Sequence, residues 1–176
     1  MSQQILHRWK NIQLVKEDIR LPTGISISHT TIIHPGAAVI LPITEDENII
    51  LLKQFRPSLG KWIIELPAGT IENNEEPLAC AKRELFEETG YQADVFHSLG
   101  QCTPMAGFCD EIQYLFVAKQ LSLPMKQKLD DDEVIDVITA SLFQIEQWIR
   151  DDLITDAKTI ACISKAKLCG HFTHKN

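Results

Sequence analysis

The sequence has no apolar run long enough to cross a membrane. The longest runs, such as Ala37–Ile43, fall far short of the ~20 residues that a spanning helix needs. The segment Met1–Lys10 is polar and contains no apolar stretch of the kind found in signal peptides, so no signal peptide is expected. These absences predict a cytoplasmic protein that has no membrane partner.

Cysteine patterns typical of metal or redox sites are also missing. The five cysteines are Cys80, Cys102, Cys109, Cys162 and Cys169. They form no C-x-x-C pair and no Cys/His cluster with the spacing of a zinc site. We therefore expect reduced structural thiols, which are usual in the cytoplasm.

Basic residues are too few for a nucleic-acid binder. The chain has 17 Lys and Arg against 24 Asp and Glu, which gives a net charge of −7 at pH 7. A protein that binds a phosphate backbone needs a basic stripe, so no nucleic-acid partner is expected. A small polyanionic substrate could bind only if metal ions or a few placed arginines offset the carboxylates.

The length and composition are those of an ordinary globular domain. The chain has 176 residues, of which 44% are apolar and 23% are charged. That is enough for one domain with a proper core, or for one domain with a small appendage.

The first part of the chain is rich in strand signals. Gln13–Ile19 and Ile25–Ile33 are β-branched and partly alternating, and the turn between them contains Pro22 and Gly24. This pattern predicts a hairpin. We place a soft boundary near residue 34, which separates a β-rich arm (1–33) from a main domain (34–176).

The main domain alternates strands with helices, which predicts an α/β layered architecture. The clearest helix is Pro77–Thr89, because Pro77 suits its first turn and Gly90 suits the position after its end. Leu78, Ala81 and Leu85 would form its apolar stripe. The other predicted strands are Ala37–Pro42, Ile49–Phe55, Asp94–Leu99, Ile112–Ala118 and Val134–Ile138, and the other predicted helices are Leu142–Asp151 and Asp156–Leu168.

Three carboxylates share one turn of the predicted helix. Glu84, Glu87 and Glu88 stand at positions i, i+3 and i+4, so they lie on one face. Like charges this close repel each other unless something neutralises them. A hard divalent cation such as Mg²⁺ would do so, and Arg83 can pair with Glu87 one turn away. A solvated helix face is the alternative for such a trio taken alone.

The residues around this trio decide between the two. The segment has the pattern Gly69-x5-Glu75-x7-Arg83-Glu84-Leu85-x-Glu87-Glu88-x-Gly90-Tyr91. It resembles the Nudix box at every defining position except the last, an aliphatic site that an aromatic residue fills here. The resemblance implies a Nudix-type α/β/α sandwich with a mixed sheet and a strand-rich N-terminal arm.

By motif position, the resemblance also implies roles. Glu84 and Glu88 would be metal ligands, and Glu87 would be a ligand or lie close behind one. The backbone carbonyl of Ala68 would be a further ligand. Arg83 would be structural, and Glu75 would brace the loop.

Flanking segments extend the resemblance to the ADP-ribose and ADP-sugar pyrophosphatase branch. The matching segments are residues 54–57, 60–62, 65–69, 129–133 and 154–159. Arg56 offers a forked donor suited to a diphosphate. Trp62 and Trp9 could stack on a base or could pack in a core or interface, and Glu65 is a further candidate for substrate binding. Ala106 stands where ADP-ribose hydrolases typically carry a proline, so base and sugar specificity stay open.

The resemblance implies a Nudix hydrolase that uses Mg²⁺, with Mn²⁺ as a substitute, to split ADP-ribose into AMP and ribose 5-phosphate. The alternatives are hydrolysis of GDP-mannose, broad activity on nucleoside diphosphate sugars, and a non-catalytic module that senses ADP-ribose. A general base should lie outside the box helix, and Glu133 and Glu111 are the candidates beside Glu87. Related pyrophosphatases are homodimers, so we expect a homodimer whose arm packs across subunits.

Overall fold

The computed structural model describes residues 3–129 and 134–172. These residues form, in chain order, β1 (Gln4–Trp9), β2 (Ile12–Arg20), β3 (Ser26–Ile33), β4 (Ala37–Pro42), β5 (Asn48–Arg56), β6 (Lys61–Glu65), β7 (Ala68–Thr70), α1 (Pro77–Thr89), β8 (Ala93–Cys102), β9 (Gln113–Leu121), β10 (Ile135–Ser141), α2 (Leu142–Arg150) and α3 (Ala157–Leu168). The predicted α/β class with a mixed sheet is confirmed.

Three sheets organise these strands. Their strand orders are β1-β2-β3, β10-β5-β6 and β7-β4-β9-β8. β4 pairs with β9 in parallel and with β7 in antiparallel orientation, which makes the third sheet mixed. Sequence analysis assigned no strand to β6 or β7, and both lie beside the site described below.

The core has two parts that meet on the opposite faces of β4. Val39 and Leu41 belong to a cluster that includes apolar side chains of α2 and α3. Ala38 and Ile40 belong to a second cluster, which includes α1. All six residues of β4 are therefore buried, and helices cover the sheet from both sides. This arrangement is the predicted α/β/α layering.

The N-terminal arm is a three-stranded sheet, so the prediction of a two-stranded hairpin was wrong. The added strand, β1, is exposed along its whole length and therefore has no alternating apolar pattern that would have revealed it. The arm is tied to the main domain by backbone bonds of Ile32, whose N–H donates to the Phe108 carbonyl at 2.8 Å and whose carbonyl accepts from Asp110 at 3.1 Å. The division at residue 34 stays a prediction.

The helix that carries the three carboxylates has the predicted bounds. α1 begins at Pro77 and ends at Thr89, and Gly90 follows with a positive φ of 75°. Its predicted apolar stripe is wrong in one member. Ala81 and Leu85 are buried, whereas Leu78 in the first turn is 41% exposed and lies outside the core clusters. No helix in the described ranges combines the length and apolarity needed to span a bilayer.

Candidate active site

Arg83 connects the acidic side chains of α1 with the loop before it. Its Nε and Nη2 donate to the two oxygens of Glu75, each at 2.9 Å. Its Nη1 donates to Glu84 at 2.6 Å and to Glu87 at 3.1 Å. The predicted Arg83–Glu87 pair is confirmed, and Arg83 offsets the repulsion among the carboxylates.

Glu75 anchors the loop between β7 and α1. Hydrogen bonds from Arg83 are the largest cause that lowers the pKa of Glu75 to about 2. The backbone N–H of Glu72 adds another bond to its carboxylate at 3.0 Å. In turn, the bond to Glu75 is the largest cause that raises the pKa of Arg83. Both side chains are therefore charged at neutral pH, and the bracing role expected for Glu75 agrees with these contacts.

Two carboxylates of α1 lie against β7. A Cβ added at Gly69 would fall 1.8 Å from Oε1 of Glu84, so this glycine leaves the space in which the carboxylate lies. Glu88 is 2% exposed, and its Oε2 accepts from the Ala68 N–H at 2.9 Å. The strand therefore holds the helix carboxylates in place, because it pairs with β4 at the same residues.

A cavity of about 530 Å³ opens beside these groups. Its lining consists of residues 9–12 of the arm, 54–57 at the end of β5, 68–70 of β7, and the side chains of Glu72, Arg83, Glu84, Glu87 and Lys128. The structure thus brings together five of the predicted site residues, namely Trp9, Arg56, Ala68, Glu84 and Glu87. Glu88 lies behind this lining through its bond to Ala68.

Three other predicted residues do not line the cavity. Trp62 is 43% exposed and meets the ring edge of Phe55 at a centroid distance of 5.9 Å. The Glu65 carboxylate is buried between basic side chains. Glu111 is buried and accepts from Nε2 of Gln113 at 3.0 Å. Glu133 lies outside the described residues. Their predicted roles stay predictions.

Sequence reasoning missed two side chains of the lining. Gln54 is 3% exposed, and among the described residues its Oε1 has no hydrogen-bond partner. A buried acceptor without a donor is costly, which suggests that a ligand supplies one. Lys128 places its Nζ 3.8 Å from Glu87. Neither residue type stands out in sequence, because only the fold brings these positions to the cavity.

The donors at this site fit a hard divalent cation by their chemistry. Glu84, Glu87 and Glu88 offer only oxygen, and Gly69 leaves room for the first of them. In the described part of the chain, however, no three acidic, histidine or cysteine side chains are gathered closely enough to hold an ion as they stand. Arg83 occupies two of the carboxylates, so a cation would replace some of its contacts.

Comparisons with known proteins agree with this geometry. The family model described as NUDIX domain matches residues 33–161. The ADP-ribose pyrophosphatase of Bacillus subtilis (strain 168) is 39% identical over 160 residues, which are 90% of this chain and 86% of that protein. The methanol dehydrogenase activator of Bacillus methanolicus is 37% identical over 165 residues, covering 93% and 89% of the two chains.

More distant relatives extend the range. The GDP-mannose pyrophosphatase of Yersinia pestis (strain Pestoides F) is 28% identical over 178 aligned positions, covering 93% of this chain and 87% of that protein. A solved structure described as an ADP compounds hydrolase superposes with a TM-score of 0.81 at 19% identity. It covers 98% of this chain and 95% of its own, which shows a shared fold.

Proposed function

This chain belongs to the NUDIX family and is a pyrophosphohydrolase of that family, and we propose that it hydrolyses ADP-ribose to AMP and ribose 5-phosphate with Mg²⁺ as its cofactor. The observation that carries the proposal is the single cavity lined by both Arg56 and the carboxylates of Glu84 and Glu87. A diphosphate needs a cation on each side of its charge, and this cavity offers an arginine and a set of metal donors.

Hydrolases of this family generally use divalent metal ions. We propose that Glu84, Glu87, Glu88 and the Ala68 carbonyl hold Mg²⁺, or Mn²⁺ as a substitute. When bound, such an ion supplies an activated water and neutralises charge on the leaving phosphate. The oxygen-only donor set supports this choice over softer metals.

Arg56 would bind the diphosphate. Its Nε and Nη2 donate to Glu65 at 2.8 and 2.9 Å, so its Nη1 stays available to the cavity. Burial opposes the charge of Arg56, but the bonds to Glu65 outweigh it and raise its pKa. A permanently charged, oriented guanidinium suits two phosphate oxygens.

The general base is proposed to be Glu133, with Glu111 as the competitor. Support comes from Lys128, which lines the cavity a few residues before Glu133 and whose N–H donates to the Glu87 carbonyl at 2.9 Å. The chain therefore reaches the cavity shortly before the position of Glu133. Glu111 is buried and bonded to Gln113, which suits a role in holding the site or the substrate.

GDP-mannose, or a range of nucleoside diphosphate sugars, is the alternative substrate. The GDP-mannose pyrophosphatase relative favours it, and the shared diphosphate would use the same Arg56 and carboxylates. The two alternatives differ in the base and sugar, which the diphosphate-binding groups do not contact.

A substrate panel tests the proposal. ADP-ribose, GDP-mannose, other nucleoside diphosphate sugars and nucleoside triphosphates are incubated with Mg²⁺, with Mn²⁺ and with chelator, and the products are identified by chromatography. Glu84→Gln serves as the control for contaminating hydrolases. We expect the highest kcat/KM for ADP-ribose, with AMP as a product. Preference for GDP-mannose selects the alternative. Cleavage of triphosphates only, or binding of ADP-ribose without cleavage, refutes the proposal.

A homodimer that packs through the arm is also proposed. The arm exposes several large apolar side chains, namely Ile5, Leu6, Trp9, Ile25 and Ile27. Exposed apolar surface of this kind is typical of an interaction site. Analytical ultracentrifugation at micromolar concentration should give the mass of a dimer, and a monomer mass contradicts the proposal.

A cytoplasmic location is proposed on the state of the thiols. All five cysteines are free of disulfides, and three of them are buried. Reduced thiols are usual in the cytoplasm. Cell fractionation with an antibody against the chain tests this.

A further inference from the structure

We propose that Lys158 positions Arg56 for the diphosphate of the substrate, acting through the buried carboxylate of Glu65; this inference rests on the proposed function. Glu65 lies between the two cations, and its side chain is 1% exposed. Arg56 binds it with two hydrogen bonds, and Lys158 binds it from α3. Only Arg56 of the three lines the cavity.

The start of α3 holds Lys158 in this place. Asp156 caps the helix, because its Oδ2 accepts from the Thr159 N–H at 3.0 Å. The hydroxyl of Thr159 in turn accepts from the N–H of Leu66 at 2.8 Å, next to Glu65. The helix start and the end of β6 are thus joined, and Asp156 accepts from Lys158 at 3.0 Å.

The charges determine what Lys158 does for the cavity. If Arg56 were the only cation beside Glu65, the buried carboxylate would neutralise it, and little positive charge would face a substrate. Lys158 shares the negative charge of Glu65, so that more of the Arg56 charge remains for an anion. Asp156 works in the opposite direction, because its negative charge offsets Lys158 and also acts on Arg56.

Opposite signs follow for two substitutions. Lys158→Met should weaken the binding of ADP, a ligand with the diphosphate but without the sugar, by roughly tenfold, the effect of one partly screened charge. Asp156→Asn removes a negative charge and keeps a side chain that can cap the helix, so it should tighten ADP binding by roughly twofold to fivefold.

The experiment measures ADP affinity by calorimetry and kcat and KM for ADP-ribose in the full-length protein. Lys158→Met should raise KM in the same proportion as the dissociation constant for ADP, with kcat nearly unchanged. Lys158→Arg should restore most of the affinity, because it returns the charge. Lys167→Met is the matched control, since it removes a lysine of α3 that pairs with Glu146 away from the cavity. It should leave ADP binding unchanged.

A purely structural role gives a different result. Lys158→Met and Asp156→Asn would then both lower the melting temperature, with unchanged ADP affinity or with weaker binding in both, and that outcome overturns the proposal. Should Lys158→Met fail to fold, tighter binding in Asp156→Asn supports the proposal and weaker or unchanged binding overturns it.

The parent protein separates this inference from the proposed function. If it binds ADP with the expected signs in the variants but cleaves no nucleoside diphosphate sugar, the positioning role stands and the proposed function fails. If it cleaves ADP-ribose while the variants bind ADP as the parent does, the function stands and the positioning role fails. A parent that neither binds nor cleaves overturns both.

Discussion

Replacing Gly69 with alanine should remove activity while leaving the fold nearly as stable as before. The added Cβ would lie 1.8 Å from Oε1, 1.9 Å from Cδ and 2.4 Å from Oε2 of Glu84. Such distances are impossible, so the carboxylate must leave its place. The backbone at Gly69 is not in the left-handed region, so alanine itself adds no strain there.

The expected loss of stability is small because a flexible side chain can yield. Glu84 would give up its bond to Arg83, which measures 2.6 Å between partly exposed side chains. Arg83 keeps Glu75 and Glu87, so the cost should be about 1 kcal/mol or less. Activity should suffer far more. Displacing a metal ligand should lower kcat/KM by at least about 100-fold, since even groups behind the ligands cost 10- to 100-fold.

The assay compares Gly69→Ala with Gly107→Ala, whose added Cβ would meet nothing within 4 Å. Urea unfolding gives the change in stability, and kcat/KM is measured against Mg²⁺ concentration. Gly69→Ala should require much more metal, whereas Gly107→Ala should keep the metal dependence and stability of the parent. Activity of Gly69→Ala within about threefold of the parent at low Mg²⁺ would refute the placement of Glu84 as a ligand.

Three further predictions concern other groups. Glu75→Gln should lower the free energy of unfolding by about 2–3 kcal/mol at pH 7, because the folded pKa lies near 2 instead of its ordinary value of 4.5. Ionised Glu75 contributes stability above its unfolded pKa, so urea unfolding should show the gap to the parent closing as pH falls from 4.5 toward 2; a gap independent of pH contradicts this. Gln54→Met should leave stability unchanged or raise it by about 1 kcal/mol, since it removes an unpartnered acceptor, while KM rises; clear destabilisation contradicts it. Glu133→Gln should lower kcat by roughly 10²–10⁴ with KM little changed, whereas Glu111→Gln should act more on KM; stopped assays over a range of substrate concentrations separate the two, and the reverse pattern makes Glu111 the base.

Local signals in the sequence were strong where one element carries all the information. The bounds of α1 followed from Pro77 and Gly90, and the shared face of Glu84 and Glu87 followed from helical spacing. β4 was predicted with its observed bounds because a fully buried strand reads as a continuous apolar run. Short or exposed strands were missed, since β1 has no buried face and β7 has only three residues.

The sequence by itself determined the family, the reaction type and the position of the acidic helix, because a motif of fixed spacing lies within one loop and one helix. Only the tertiary structure decided which distant residues share the cavity. Trp9 reaches it from the arm and Gln54 from β5, while Trp62 does not line it. It also placed Lys158, which lies 93 residues along the chain from Glu65, against that carboxylate. Such contacts depend on how sheets and helices pack, and no local pattern of residues encodes that packing.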